Sequence, residues 1–155
     1  MITLKPVGHV RGGRLEAIDD DWDTVEAEIV LDEGWLTAES LMGLGDFSHV
    51  EMIYHFHGVP DVKVETAARH PRGRANWPRV GIFAQRGKNR PNRLGVTVCR
   101  LLSVDGAVLR VKGLDAIDGT PILDIKPYLT GFAPRGDIVE PQWAKEIMSE
   151  YWTTE

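Results

Sequence analysis

Between two β-like runs the chain places Arg86-Gly87-Lys88-Asn89-Arg90-Pro91-Asn92-Arg93, four cations in eight residues. Cations this close repel one another unless an anion sits among them. Pro91 stiffens the loop, Gly87 and Gly95 allow tight bends, and Asn89 and Asn92 can hold turns. A rigid basic loop between strands reads as a binding loop. Upstream, Arg69-His70-Pro71-Arg72-Gly73-Arg74-Ala75-Asn76-Trp77-Pro78-Arg79 extends the cationic run around an aromatic residue. Arg with Trp suits phosphate contact and stacking on single-stranded nucleic acid; an ordinary solvated loop has the same composition. Downstream, Leu114 to Tyr128 gathers Asp115, Asp118, Asp124, Lys126 and Tyr128 around a turn and a strand. Asp124 and Lys126 share a face at i, i+2 and can pair. The segment reads either as a salt-bridged hairpin or as a polar site for a cationic or hydroxyl-rich ligand. His55-x-His57 offers two ligands for a metal with no third histidine nearby, so hydrogen bonding or plain polarity is the preferred reading and no metal site is expected. Cys99, inside an apolar run, reads as a small core residue rather than a nucleophile.

The net charge of −5 conceals a strong asymmetry. Residues 1–68 carry 4 Lys/Arg against 14 Asp/Glu, residues 69–112 carry 11 against 1, and residues 113–155 carry 3 against 8. The basic middle block either meets a phosphate-rich partner or pairs internally with the acidic ends. Both readings stay open, because surface ion pairs are common and weak.

Short strands are the elements available to position these groups. Pro and Gly punctuate the chain throughout, which favours strands over long helices. Thr24 to Leu31 alternates, with Val25, Ala27, Ile29 and Leu31 on one face. Val50, Met52, Tyr54 and Phe56 alternate in the same way against Glu51, Ile53, His55 and His57. Val80 to Ala84 reads as a short apolar strand. Leu94–Val104 and Ala107–Leu114 flank Asp105-Gly106, which predicts a hairpin with a type I′ turn. Asp118-Gly119-Thr120-Pro121 predicts a turn before a strand over Ile122–Lys126. Thr37–Gly43 predicts a turn or two of helix. Pro141–Trp152 predicts a better helix, with Pro141 in its first position and an apolar stripe of Trp143, Ile147 and Tyr151. That stripe reads as packing on the body or on a second subunit.

Six or seven strands without intervening helices cannot form a parallel crossover sheet. The expected fold is mainly β: a small antiparallel barrel of six to seven strands, closed or nearly so, with short helices and one C-terminal helix. The expected division is residues 1–140 for the barrel and 141–155 for the helix. No G-x-G-x-x-G, G-x-x-x-x-G-K-[ST] or G-x-S-x-G motif is present. With 43% hydrophobic and 26% charged residues, disorder and coiled coil are poor readings. No apolar run is long enough for a membrane helix, the first residues do not resemble a secretory signal, and the single cysteine rules out an internal disulfide. A cytoplasmic protein is expected.

Three stretches resemble one family. They are Gly43-Leu44-Gly45-Asp46-Phe47-Ser48-His49-Val50 through His57, Arg79-Val80-Gly81-Ile82-Phe83-Ala84-Gln85-Arg86 through Gly95, and Asp115 through Tyr128 with its D-G-T-P-x-x-D-I-K-P-Y run. Together they are similar to the TsaA/YaeB-like (TrmO) family, over most of residues 5–130. The resemblance implies a small β-barrel, commonly dimeric, that binds S-adenosylmethionine and methylates N6 of threonylcarbamoyladenosine at tRNA position 37. By motif position it implies a cofactor site drawing on Phe56, His57, Arg86, Val96, Lys112, Gly113, Leu114 and Asp115. Arg86 would hold the cofactor carboxylate, and Asp115 or Asp118 the ribose hydroxyls or the amino group. The RNA would meet Arg90, Asn92 and Arg93. Any polar catalytic role would fall to Asp124, Lys126 and Tyr128. The family loop reads close to A-T-R-S-x-x-R-P-N-P-I-G, and here Gln85, Gly87 and Arg93 stand in place of Thr, Ser and the second Pro. The family's early P-R-Q-type segment has no clear counterpart, nor does the further C-terminal domain of its tRNA-acting bacterial members.

The leading expectation is therefore an S-adenosylmethionine-dependent methyltransferase acting on tRNA or a related adenosine derivative. Two alternatives stand beside it. One is a non-catalytic, regulatory S-adenosylmethionine-binding protein; the other is an RNA-binding barrel that uses the basic block without cofactor.

Overall fold

The computed structural model describes residues 1–153. Eight strands occur in chain order: β1 Gly8–Arg11, β2 Glu26–Leu31, β3 His49–His55, β4 Ala68–Arg69, β5 Val80–Gly81, β6 Leu94–Asp105, β7 Val108–Lys112 and β8 Pro121–Pro127. Six of them close into a barrel in the order β1-β2-β7-β6-β3-β8, and β4 pairs with β5 apart from it. Every pairing in the barrel is antiparallel. Closure leaves no barrel strand with an unpaired edge. No helix among the described residues is long and apolar enough to cross a membrane.

The period-two pattern translates directly into the interior. Val50, Met52 and Tyr54 of β3 point inward, together with Ile29 and Leu31 of β2, Leu109 and Val111 of β7, Cys99 of β6 and Ile122 of β8. Val10, Ile29, Val50, Met52, Leu109, Val111 and Ile122 are fully inaccessible. Their burial, worth about 1.5–3 kcal/mol for each large side chain, is the main force holding the barrel closed. Pairing of β3 with β8 shifts register between Ile53↔Asp124 and Tyr54↔Ile122, so Leu123 is the extra residue of a bulge.

Several local expectations change. Only Val80 and Gly81 form a strand, because Ile82–Ala84 turns into a single 3-10 turn. The β6–β7 hairpin pairs Asp105 with Val108, so its loop is Gly106-Ala107. Gly106 has φ +59 and Ala107 stays at negative φ, which fits a type II′ turn, with glycine first, rather than type I′. Thr37–Gly43 contains one 3-10 segment, Ala38–Leu41. The C-terminal helix, α1, covers Gln142–Ile147 only, and Pro141 is its N-cap rather than its first residue. Beyond it the backbone N–H groups of Asp21, Trp22 and Asp23 donate to the carbonyls of Glu150, Tyr151 and Trp152. Those pairings replace the expected last helical turns with non-helical turns held against the β1–β2 connection. Residues 154 and 155 of the expected helical segment lie outside the described residues.

Candidate functional site

Antiparallel closure brings the end of β3, the start of β6 and the start of β8 to one mouth of the barrel, and the chain leaving β7 runs on to it. Asp115 sits there, just past β7. Its Oδ1 accepts hydrogen bonds from Tyr54 Oη at 3.0 Å and from Thr97 Oγ1; its Oδ2 accepts one from Tyr151 Oη. Tyr54 Oη also reaches the Asp115 carbonyl at 3.2 Å. Three hydroxyls from β3, β6 and the C-terminal segment thus converge on one carboxylate. Charge-assisted bonds of this kind are roughly twice as strong as neutral ones.

Burial, followed by the Asp115 charge, raises the pKa of both Tyr54 and Tyr151. Both phenols therefore stay protonated and act as donors. The nearby Arg86 guanidinium opposes that shift at each phenol. Burial, then the Asp115 charge, pushes the Cys99 thiol up to about 12, so it is neutral and unreactive at physiological pH.

The expected cofactor residues fall around this carboxylate. Arg86 Nη2 donates to the Val96 carbonyl at 2.8 Å, next to the Thr97 that bonds Asp115, so Arg86 and Asp115 flank the same two residues of β6. Phe56 packs edge-on against Tyr54, with centroids 5.4 Å apart. A Cβ placed on Gly119 would lie 3.9 Å from His57 Nε2, so His57 faces the Asp118-Gly119 turn. Lys112 and Gly113 lead from β7 to the site, and the Gly113 N–H donates to the Val25 carbonyl. Leu114 is 1% exposed and belongs to the core, so its side chain packs inside the barrel. Asp118 Oδ1 accepts from the Gly12 N–H at 2.7 Å, which ties the turn to the loop after β1.

The other candidates lie elsewhere. Asp124 and Lys126 pair with each other at 2.8 Å on the outer wall, opposite Ile53 and Glu51. The Asp124 partnership raises the Lys126 pKa. The Tyr128 N–H donates to the His49 carbonyl, at the start of β3 about 17 Å from Tyr54 along the strand. The structure therefore does not bring Asp124, Lys126 and Tyr128 to Asp115. In the basic loop, Arg90 Nη1 donates to the Gln85 carbonyl at 2.6 Å, and Asn92 is exposed with φ +63. Arg93 donates to the Val59 carbonyl and pairs with Asp61 at 2.9 Å. Its φ of +50 is one that a proline at this position could not take.

His55 is held below its usual range by burial and by the charges of Arg93 and His57. Among the described residues no group of three His, Cys, Asp or Glu side chains is placed to hold a metal. A shallow hollow of about 350 Å³ beside β1, lined by Pro6, His9, Asp32 and Glu33, contains none of the Asp115 cluster.

A model of the tRNA-methyltransferase O N-terminal domain matches residues 20–133. The chain belongs to that family. A human tRNA (adenine(37)-N6)-methyltransferase is 38% identical over 102 residues, 66% of this chain and 23% of the human protein. A Pyrococcus abyssi protein named a probable S-adenosyl-L-methionine-binding protein is 39% identical over 143 residues, covering 89% of this chain and 74% of its own. A crystal structure of TrmO from Pseudomonas aeruginosa superposes with a TM-score of 0.73 at 27% identity, covering 92% of this chain and 62% of the solved one. The chain thus spans about a quarter of the human relative and under two thirds of the solved bacterial chain.

Within this TrmO-type barrel, Tyr54, Thr97 and Tyr151 belong to the site although residue-by-residue reading misses them. Thr97 carries a signal, since it is a hydroxyl in the inward phase of β6 between Gly95 and Cys99. Tyr151 reads as part of an apolar stripe, and only the pairing of residues 150–152 with 21–23 aims it at Asp115. Tyr151→Phe removes one hydrogen bond to a charged acceptor and should cost about 1.5–3 kcal/mol. A thermal melt should show a midpoint several degrees lower, and an unchanged midpoint would mean that the contact contributes nothing.

Internal pairing holds for part of the basic block. Arg72 pairs with Asp20 at 3.0 Å, Arg93 with Asp61, Arg100 with Asp23 at 3.7 Å and Arg110 with Glu26 at 3.6 Å. Arg86, Lys88 and Arg90 form no ion pair among the described residues. Arg69, Arg74, Arg79 and Lys112 are also outside the ion pairs among the described residues, so unpaired positive charge runs along the block, and three such cations share the loop that carries Arg86. Trp77 is not available for stacking on a ligand: it is 6% exposed, its Nε1–H donates to Glu146, and Arg74 covers its ring.

Proposed function

We propose that this chain binds S-adenosylmethionine at the Asp115 mouth and methylates N6 of threonylcarbamoyladenosine at position 37 of tRNA. The observation that carries the reading is the convergence of Arg86 and Asp115 on one end of the barrel, across Val96 and Thr97. The donor set suits the cofactor. An exposed guanidinium matches a carboxylate, and a carboxylate matches an ammonium or ribose hydroxyls. The bound cofactor would supply an electrophilic methyl group on a sulfonium.

The chain's own contribution would then be placement. Arg86 would turn from the Val96 carbonyl to the cofactor carboxylate. Tyr54 and Thr97 would hold the Asp115 rotamer. Phe56 and His57 would wall the site beside Gly119. In-line displacement gains most from such positioning. A polar role for Asp124, Lys126 and Tyr128 would require the acceptor to approach the outer wall between β3 and β8. A homodimer would cover the exposed Leu94, Val98 and Leu102 along β6. The Pyrococcus abyssi relative is named for cofactor binding alone, and the second reading is binding of the cofactor without transfer.

Titration calorimetry with S-adenosylmethionine, followed by mass spectrometry of nucleosides from threonylcarbamoylated tRNA treated with protein and cofactor, separates the two. Cofactor binding without methyl incorporation would establish the second reading. Absence of binding would end both. Arg86→Ala should weaken cofactor affinity tenfold or more, the loss expected for a charge-assisted bond.

A further inference from the structure

We propose that Phe83 and Arg90 form a stacking platform for one unpaired RNA base on the loop that carries Arg86. The inference rests on the RNA-substrate reading above and adds to it the group that would receive the nucleic acid. Phe83 is 76% exposed, yet the turn that carries it is firmly anchored. Ile82 on one side is buried, and buried Gln85 on the other donates from its amide to the carbonyls of Arg69 and Val80 at 2.9 and 3.1 Å. The Arg90 guanidinium carbon lies 5.9 Å from the Phe83 ring centroid, and the bond from Arg90 to the Gln85 carbonyl fixes it there. An exposed ring is thus held beside a cation that no carboxylate among the described residues neutralises.

Two features choose RNA over an apolar partner. Arg86 and Lys88, both exposed and unpaired among the described residues, lie on the same loop. A protein surface would have to bury those charges, whereas a phosphate backbone would neutralise them. A flat aromatic beside a guanidinium is the combination on which bases stack without sequence preference. The equally exposed Phe132 has no cation over its ring among the described residues.

The test uses the full chain and two fluorescein-labelled probes read by anisotropy: a twelve-nucleotide oligoadenylate and its abasic counterpart with the same phosphates. The wild type should prefer the oligoadenylate. Phe83→Ala should weaken oligoadenylate binding about tenfold, leave the abasic probe unchanged and leave calorimetric S-adenosylmethionine affinity unchanged. Phe83→Trp should restore binding. Arg90→Ala should weaken both probes and reduce the salt slope by about one. A wild type that binds both probes equally, or a Phe83→Ala variant that binds as well as wild type, overturns the platform while leaving the methyltransferase reading intact. A wild type that binds neither probe nor threonylcarbamoylated tRNA overturns the RNA reading as well. If Phe83→Ala converts a dimer to a monomer by light scattering, the ring is a subunit contact and the proposal fails.

Discussion

Asp115→Asn should abolish measurable S-adenosylmethionine binding, with at least about a hundredfold loss of affinity, in a protein that still folds. The amide keeps a carbonyl oxygen for the hydroxyls of Tyr54 and Thr97, which both bond Oδ1. It loses the negative charge that would hold an ammonium or a diol, and each such charge-assisted bond is worth about 1.5–3 kcal/mol. Asp115→Ala should separate stability from binding. Tyr54 retains the Asp115 carbonyl as an acceptor, but Thr97 and Tyr151 lose theirs. With a penalty of about 1–3 kcal/mol for each orphaned donor, the alanine variant should melt roughly 10 °C lower. Calorimetry alongside thermal denaturation reads both effects. If the asparagine variant binds cofactor as the wild type does, Asp115 is only a structural acceptor, and the site lies elsewhere.

Gly95→Ala is expected to have a large structural effect at the mouth. A Cβ at position 95 would lie 2.6 Å from Cε2 and Cζ of Tyr54 and 2.9 Å from Cζ of Phe56. Real carbons do not approach so closely, so a ring must move. Tyr54 is pinned at its hydroxyl by Asp115 and at its ring by the edge-on contact with Phe56, and it is 2% exposed. Overpacking of a site that cannot yield typically costs about 1–3 kcal/mol and occasionally more. The expected outcome is a midpoint about 5–10 °C lower, together with weakened cofactor binding, because the displaced phenol no longer supports the carboxylate. At the exposed Gly87 an added Cβ would meet no neighbour within 4 Å, so Gly87→Ala should change neither property and is the natural control. Equal melting of both variants would show that the mouth is softer than its contacts imply.

Much of the architecture is legible in local pattern. The alternation in β2 and β3 marks which residues face the interior, because side chains on a strand point to opposite faces with period two. Glycine and aspartate at 105–106 and 118–119 mark chain reversals, since glycine takes positive φ without steric cost. The type II′ form of the hairpin is not legible. Whether Asp105 closes the strand or enters the loop depends on register with β7, a matter of pairing energies across the barrel rather than of the dipeptide. The C-terminal helix stops short of its periodicity for a similar reason: the helical pattern persists to Tyr151, but the carbonyls of residues 150–152 find partners in Asp21, Trp22 and Asp23 instead.

From the residues alone came the class of fold, the basic loop and the acid-bearing turn, and the resemblance tied the last two to a single family. All of these depend on neighbours a few positions apart. Tertiary structure decided the closing order of the strands, and with it the meeting of Tyr54, Thr97, Asp115 and Tyr151 from four distant stretches. It also decided which cations are neutralised by carboxylates and which stay free, and that Trp77 is covered while Phe83 is not. The physical reason is range. Side-chain facing and turn formation are set by local sterics, whereas hydroxyl–carboxylate contacts and ion pairs exist only once closure has brought remote segments within about 3–4 Å.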